Sequence, residues 1–341
     1  MFYIRVDANK EIGTGHVMRC LSIAEELRRK SEKVFFLVAD ESSKQFVINY
    51  GFSSICLHSQ WNNMEQELDI LLKLIFDRQI KQLLVDSYFV TELYLRTLHQ
   101  YINLAYIDDL NSFIYPVDTL INYNIFADRV KYQKQYQLTE LLLGCTYVPL
   151  RKEFQKVKKS VPCGRKKILI TSGGTDNYNV ISNLLDELKW KSWFNNVEFH
   201  IILGKFYSCA FELQKRWLDC SNVFFYRNVT DISKYMTECD IAVTAGGSTV
   251  YELCACGLPS VIFTMADNQY AVANEFQKKG LIPWCGDVRR DMEKCIRNVI
   301  YWLDIMLWDD AMLKQRGKEL QQIVDGYGAM RIAERLLYRN K

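Results

Sequence analysis

The chain is poor in histidine, with four in 341 residues, and none of its eleven cysteines stands in a Cys-x-x-Cys pair. Zinc sites of the usual Cys/His spacing therefore have no support, and Cys254-Ala255-Cys256 has no histidine nearby. An odd cysteine count, with Cys20, Cys56, Cys239 and Cys254 inside apolar segments, indicates reduced core thiols rather than a disulfide framework. Also missing are an uncharged stretch long enough to cross a bilayer and a basic leader with an apolar core, so a cytoplasmic protein without stable membrane insertion is expected. The net charge of +3 is too small for a nucleic-acid surface of this length, though it leaves room for local anion sites. What is present is a globular composition, 49% hydrophobic and 24% charged, in a chain too long for one core, and two domains are expected.

The stretch around which the chain is organised is Glu11-Ile12-Gly13-Thr14-Gly15-His16-Val17-Met18-Arg19-Cys20, which follows an apolar run at 2–6 and opens a helical pattern reaching residue 30. Gly13 and Gly15 in a strand-to-helix turn leave bare backbone for a ligand, with the first helical amides directed at an anion. His16 stands at the helix start, where the positive end of the dipole disfavours a second positive charge. A neutral imidazole there can act as a general base. The alternative is structural, with the glycines shaping the turn and His16 capping the helix.

In the N-terminal half, β-rich runs at 2–6, 33–38, 53–57, 82–86, 104–108 and 119–124 alternate with helical patterns at 16–30, 41–50, 63–78 and 91–100. Such alternation specifies βαβ units, a parallel sheet covered on both faces, and ligands at the carboxyl ends of its strands. Asp7, Asp86-Ser87-Tyr88 and Asp108-Asp109 follow three of those strands and are expected to face one crevice with His16. Simpler roles stay open: Asp86 can cap its turn, and Tyr88 can pack on the crevice edge. Adjacent Asp108 and Asp109 project in different directions and are not read as a catalytic carboxylate pair.

Between residues 150 and 167 a Lys/Arg-rich run with Pro162 and Gly164 reads as a linker whose charges form a solvated surface, a lipid contact being the weaker reading. The domains expected are 1–150, a linker at 151–166, 167–310, and C-terminal helices in 311–341. Further strands are expected at 167–171, 197–203, 222–226, 241–243, 260–263 and 281–284, with amphipathic helices at 291–305, 311–324 and 329–339. The last of these either pack back across the crevice or form a surface or dimer pair. Ser172-Gly173-Gly174-Thr175 and Thr244-Ala245-Gly246-Gly247-Ser248-Thr249 each follow a strand and precede a helix, the setting of a phosphate-cradling loop. Glu252, one helical turn further on, can accept from ribose hydroxyls. Asn268 and Gln269 can hold a sugar or phosphate, or be exposed amides behind an Asp267 N-cap.

The series Ile12-Gly13-Thr14-Gly15-His16, Asp86-Ser87-Tyr88, Tyr147-Val148-Pro149-Leu150-Arg151-Lys152-Glu153-Phe154, Gly173-Gly174-Thr175-Asp176, Glu252 and Asn268-Gln269 resembles, in order, the UDP-sugar hydrolases of pseudaminic acid biosynthesis. Those enzymes cleave UDP-2,4-diacetamido-2,4,6-trideoxy-β-L-altropyranose to UDP and free sugar. The resemblance implies a GT-B fold, similar to the enzyme that adds N-acetylglucosamine to the peptidoglycan lipid precursor: two Rossmann-like parallel-sheet α/β domains with an active-site cleft between them. It further implies that His16 activates water, that Tyr88 is an active-site tyrosine, and that Glu252 and Asn268 lie on the UDP side. The other expected contacts to UDP-sugar are Gly13, Gly15, Arg19, Asp86, Gly173, Gly174, Gly246, Gly247, Ser248, Thr249 and Gln269. Cleavage of the C1–O bond with inversion, and with neither metal nor cofactor, is implied as well. Ser87 departs from the pattern, standing where the family carries histidine.

Elementary chemistry is consistent with this. A nucleoside diphosphate leaves readily, so amides that stabilise charge on the β-phosphate replace a protonating acid, and no glycosidase carboxylate pair is required. A base on water is worth about a hundredfold to ten-thousandfold. Two other functions fit the same residues: a glycosyltransferase in which His16 deprotonates an acceptor hydroxyl, and a nucleotide-sugar-binding module without catalysis.

Overall fold

The protein is described here by a computed structural model covering residues 1–9, 11–127, 129–160, 164–204, 207, 209–227 and 229–338. Pro162 of the expected linker lies outside the described residues. The chain divides into two compact units, Met1–Arg151 with Tyr327–Lys341, and Lys152–Gly326.

In the first unit seven strands form one parallel sheet: β1 (Phe2–Val6), β2 (Val34–Val38), β3 (Ser53–Cys56), β4 (Gln82–Asp86), β5 (Asn103–Ile107), β6 (Thr119–Asn122) and β7 (Glu140–Leu143). Their order is β3-β2-β1-β4-β5-β6-β7, so the direction of winding reverses between β1 and β4. Five helices connect them, α1 (Gly15–Arg29), α2 (Glu41–Asn49), α3 (Leu68–Asp77), α4 (Glu92–His99) and α5 (Arg129–Gln135). Central β1 and β4 are buried at every residue, as a sheet covered on both faces requires, with Arg5, Gln82 and Asp86 the polar groups among them. α1 turns Val17, Cys20, Leu21, Ala24 and Leu27 inward at helical spacing.

The second unit repeats the plan with β8 (Lys166–Thr171), β9 (Val197–Leu203), β10 (Val223–Arg227), β11 (Ile241–Ala245), β12 (Ser260–Thr264) and β13 (Trp284–Asp287), ordered β10-β9-β8-β11-β12-β13. Here the reversal falls between β8 and β11. Its helices are α6 (Val180–Leu188), α7 (Ala210–Arg216), α8 (Ile232–Glu238), α9 (Thr249–Ala255), α10 (Asp267–Lys278), α11 (Met292–Met306) and α12 (Asp310–Ile323). The last helix, α13 (Gly328–Tyr338), belongs to the first unit and packs on α1. Residues 311–341 are thus not one tail: α12 packs on α9, where Gly317 lies so close that a Cβ would stand 2.5 Å from the Gly257 carbonyl oxygen. At α13 a Cβ on Gly328 would stand 2.2 Å from the carbonyl oxygen of Val148.

Three elements differ from the expected ones for physical reasons. β7 is a Leu-rich run without β-branched residues, which carries no strand signal of its own. The strand expected at 281–284 begins instead at Trp284, because Pro283 has no N–H to donate to a ladder and contributes only its carbonyl, to Ile262 N at 2.9 Å. The helix expected at 63–78 opens with a 3₁₀ turn at Met64–Glu67 before α3. Among the described residues no helix is long and apolar enough to cross a membrane.

Candidate active site

Strand order brings the first group of residues together. β1 and β4 are neighbours at the reversal, with Val6 opposite Asp86, and the turn after β1 delivers His16 as the second residue of α1. His16 Nδ1 lies 2.6 Å from Asp86 Oδ1. Burial alone would raise the Asp86 pKa, but the Arg19 guanidinium and His16 outweigh it and hold the carboxyl well below its usual range. An ionised carboxylate only accepts, so Nδ1 carries a proton and donates it; in the neutral imidazole the lone pair is then the one on Nε2. His16 therefore does not cap α1; the N-cap is Thr14, whose side chain makes no capping bond.

Arg19 has a different use from the substrate contact expected of it. Its Nε donates to Asp86 Oδ2 (2.6 Å), Nη2 to Asp86 Oδ1 (2.5 Å), and Nη1 to Asp109 Oδ2 (2.7 Å) and the Tyr123 hydroxyl (2.6 Å). Burial opposes its charge, yet Asp109 and Asp86 raise its pKa well above the ordinary value, so it remains a cation locked inside the unit. Arg19 is a clamp on two carboxylates: four of its five N–H groups go to Asp86, Asp109 and Tyr123, and its Nη2 also lies 3.0 Å from His16 Nδ1.

Tyr88 sets its ring edge-on to His16, with centroids 4.4 Å apart at 82°, and donates its hydroxyl to Asp109 Oδ2 at 3.1 Å. Burial first, and Asp109 second, push its pKa up, so the phenol stays protonated and acts as a donor and a wall, not a base. Cys20 donates its thiol to Asp86 Oδ2 at 3.4 Å, and Asn124 Nδ2 donates to Asp109 Oδ1 at 2.8 Å.

Two aspartates expected at the crevice are used elsewhere. Asp7 is buried, accepting from Arg5 Nη1 (2.5 Å) and Ala39 N (2.6 Å). Asp108 accepts from Leu110 N, Asn111 N and the hydroxyls of Tyr115 and Tyr132, which fixes the loop after β5. Asp109 alone of that pair joins His16's surroundings. Asp109 thus lies where the crevice expectation put it, whereas Tyr123 carries no site signal in the sequence: it falls inside the strand expected at 119–124 and lies just beyond the end of β6.

The turn before α1 is built from Asn9, whose Oδ1 accepts from Glu11 N (2.9 Å) and Ile12 N (3.0 Å), and from Gly13 at φ +72°, a left-handed conformation suited to glycine. Gly15 is different: a Cβ there would meet no atom within 4 Å. The fold makes no demand for glycine at this position, and the space above it is open.

In the second unit the turns after β8 and β11 flank the other reversal point. Gly246 N already donates to Phe263 O at 2.9 Å, and a Cβ on it would crowd Ile262 Cγ2 (3.2 Å) and the Gln269 carbonyl oxygen (3.3 Å). Gly246 thus provides close packing rather than a ligand amide, while Gly247, Ser248 and Thr249 lead α9, whose first amides lack helical acceptors. Gly173 N donates to Thr171 Oγ1 at 3.2 Å, and Gly174 is exposed. A Cβ on Gly204 would lie 2.1 Å from Gly173 O and 2.4 Å from Gly174 O, so the end of β9 presses this loop into place. The loop's Ser172 hydroxyl is buried without a hydrogen-bond partner. Asp176 ends the loop by accepting from Val180 N (2.8 Å) and Ile181 N (3.0 Å). Glu252 is half-buried on α9. Before α10 the N-cap is Ala266 and not Asp267; Gln269 Oε1 accepts from Met265 N at 2.9 Å, and Asn268 is exposed.

Residues 167–287, most of the second unit, match the glycosyltransferase family 28 C-terminal domain. Along 99% of both chains the structure superposes on MurG of Acinetobacter baumannii with a TM-score of 0.72 at 13% identity. The fold is GT-B. In sequence the chain is 28% identical over 290 residues to the uncharacterized protein MJ1062 of Methanocaldococcus jannaschii, covering 81% of this chain and 58% of that protein. To the spore coat polysaccharide biosynthesis protein SpsG of Bacillus subtilis it is 22% identical over 338 residues, 96% of this chain and 95% of that one. A Helicobacter pylori protein named pseudaminic acid cytidylyltransferase and UDP-2,4-diacetamido-2,4,6-trideoxy-β-L-altropyranose hydrolase is 27% identical over 170 residues, 49% of this chain and 30% of that protein.

Proposed function

We propose that this chain is a UDP-sugar hydrolase that releases UDP and a free diacetamido-trideoxy sugar, with water as the acceptor. The observation that carries the reading is the His16–Asp86 pair at the β1/β4 reversal, which leaves Nε2 as a base beside an open glycine turn. Water gives its proton to His16 Nε2 while its oxygen forms the new bond to C1; the C1–O bond breaks and its electron pair leaves on the UDP β-phosphate, with inversion at C1. Amides of residues 247–249 receive the diphosphate, and Glu252, Asn268 and the loop at 172–174 complete the nucleotide site. Because α9 is a single seven-residue helix, its loop amides carry more of this than its dipole. The named hydrolase activity of the Helicobacter pylori relative supports the substrate class.

The match to glycosyltransferase family 28 and the likeness to MurG favour a second reading, in which the same Nε2 deprotonates a sugar or lipid hydroxyl. His16→Asn tests the base that both readings share: turnover should fall at least about a hundredfold, with UDP affinity by calorimetry unchanged. Undiminished turnover removes His16 from the chemistry.

A further inference from the structure

A second cluster of reactive side chains lies at the outer edge of the first unit's sheet, on the edge strand β3, with β2 between it and β1. Cys56 ends β3, His58 follows it, and Glu41 opens α2. One donor atom from each, the Cys56 sulfur, an imidazole nitrogen of His58 and a carboxylate oxygen of Glu41, all lie within 4.8 Å of one another. The separation between Cys56 Sγ and His58 Nδ1 is 3.5 Å. Zinc binds sulfur at about 2.3 Å and imidazole nitrogen at about 2.0–2.1 Å, so at a tetrahedral angle these two ligands stand about 3.5 Å apart. The pair, joined by a hydrogen bond, already stands at the separation of one edge of a zinc coordination tetrahedron.

His58 has φ +54°, a left-handed conformation uncommon outside glycine that histidine adopts more readily than most residues. Charge fits as well, since a thiolate and a carboxylate with a neutral imidazole balance a divalent ion and suit a borderline-soft metal. Lys44, whose Nζ is 3.0 Å from Glu41 Oε1, is the cation that a metal would displace, and its side chain is partly exposed and free to swing outward. Cys-x-His is not by itself a zinc spacing, and the third donor comes from the far side of the β2–β3 crossover, so the sequence pattern conceals the set.

We propose that Glu41, Cys56 and His58 bind a zinc-class divalent ion, with water in the fourth position, joining the start of α2 to the edge strand β3. The probe is cobalt(II) titrated into the reduced full-length chain, read by thiolate-to-cobalt charge-transfer absorption and by the visible bands of tetrahedral cobalt. One equivalent should give both signals, and one equivalent of zinc should erase them. Cys56→Ser should abolish the charge-transfer band, and His58→Ala should weaken affinity at least about tenfold, each with the wild-type melting temperature. Absence of the band in the wild type overturns the proposal, as does its persistence in Cys56→Ser, which would put the metal on another of the eleven cysteines. The readout is metal binding and not turnover, so its failure is distinct from failure of the hydrolase reading.

Discussion

Asp86 fixes which nitrogen of His16 can take a proton, and Arg19 is what allows a carboxylate to stay ionised at a fully buried position. In the wild type the folded pKa of Asp86 is depressed, so its contribution to stability is complete above the unfolded value of about 4 and is lost as pH falls below it. Arg19→Leu reverses the sign. Buried Asp86 and half-buried Asp109 lose their cation, at a cost of about 3–5 kcal/mol, and burial then raises the Asp86 pKa above its unfolded value. A group of that kind loses stability as pH rises, so urea denaturation should show a wider gap between wild type and Arg19→Leu at pH 7 than at pH 5. A constant gap would mean that the carboxylates are not what Arg19 serves. Gly15 supplies a second test at this scale. Alanine meets nothing there and is the better helix former, so Gly15→Ala should keep the melting temperature while turnover falls about tenfold or more. Normal turnover would reduce the turn to a shape requirement.

Among elements, the strand-order reversals carry the argument, because they set the loops after β1 and β4 side by side in one unit and those after β8 and β11 in the other. The loop at 172–174 is held from behind by Gly204, and Gly204→Ala would drive a Cβ into the Gly173 carbonyl. UDP affinity by calorimetry should drop at least about tenfold in that variant; unchanged affinity would take the loop out of the nucleotide site. Much of this plan was legible in the sequence, since apolar runs alternating with amphipathic helices specify parallel sheets. Less legible was the use of each polar group. Arg19 and Asp7 look alike as polar residues near the first strand, yet Arg19 becomes a clamp on Asp86, 67 residues on, while Asp7 accepts from Ala39 N beside β2 as well as from neighbouring Arg5. Gly246 reads as a phosphate glycine until Phe263 is seen to occupy its N–H. Such choices depend on contacts between segments far apart in the chain, and local pattern does not encode them. The strand β7 escaped for the opposite reason, being too short and too rich in leucine to announce itself.

For the molecule as a whole, a GT-B architecture of seven- and six-stranded parallel sheets is compatible with transfer to water and with transfer to an organic acceptor, and fold alone does not choose between them. On the proposed reading the choice lies in what reaches Nε2 of His16. Purified full-length chain should therefore be incubated with UDP-2,4-diacetamido-2,4,6-trideoxy-β-L-altropyranose and no acceptor, following UDP and free sugar beside the His16→Asn variant. Equimolar UDP and sugar from the wild type, released at least about a hundredfold faster than from His16→Asn, is the predicted result. UDP that appears only once an acceptor is added, or at equal rates from both proteins, would contradict it.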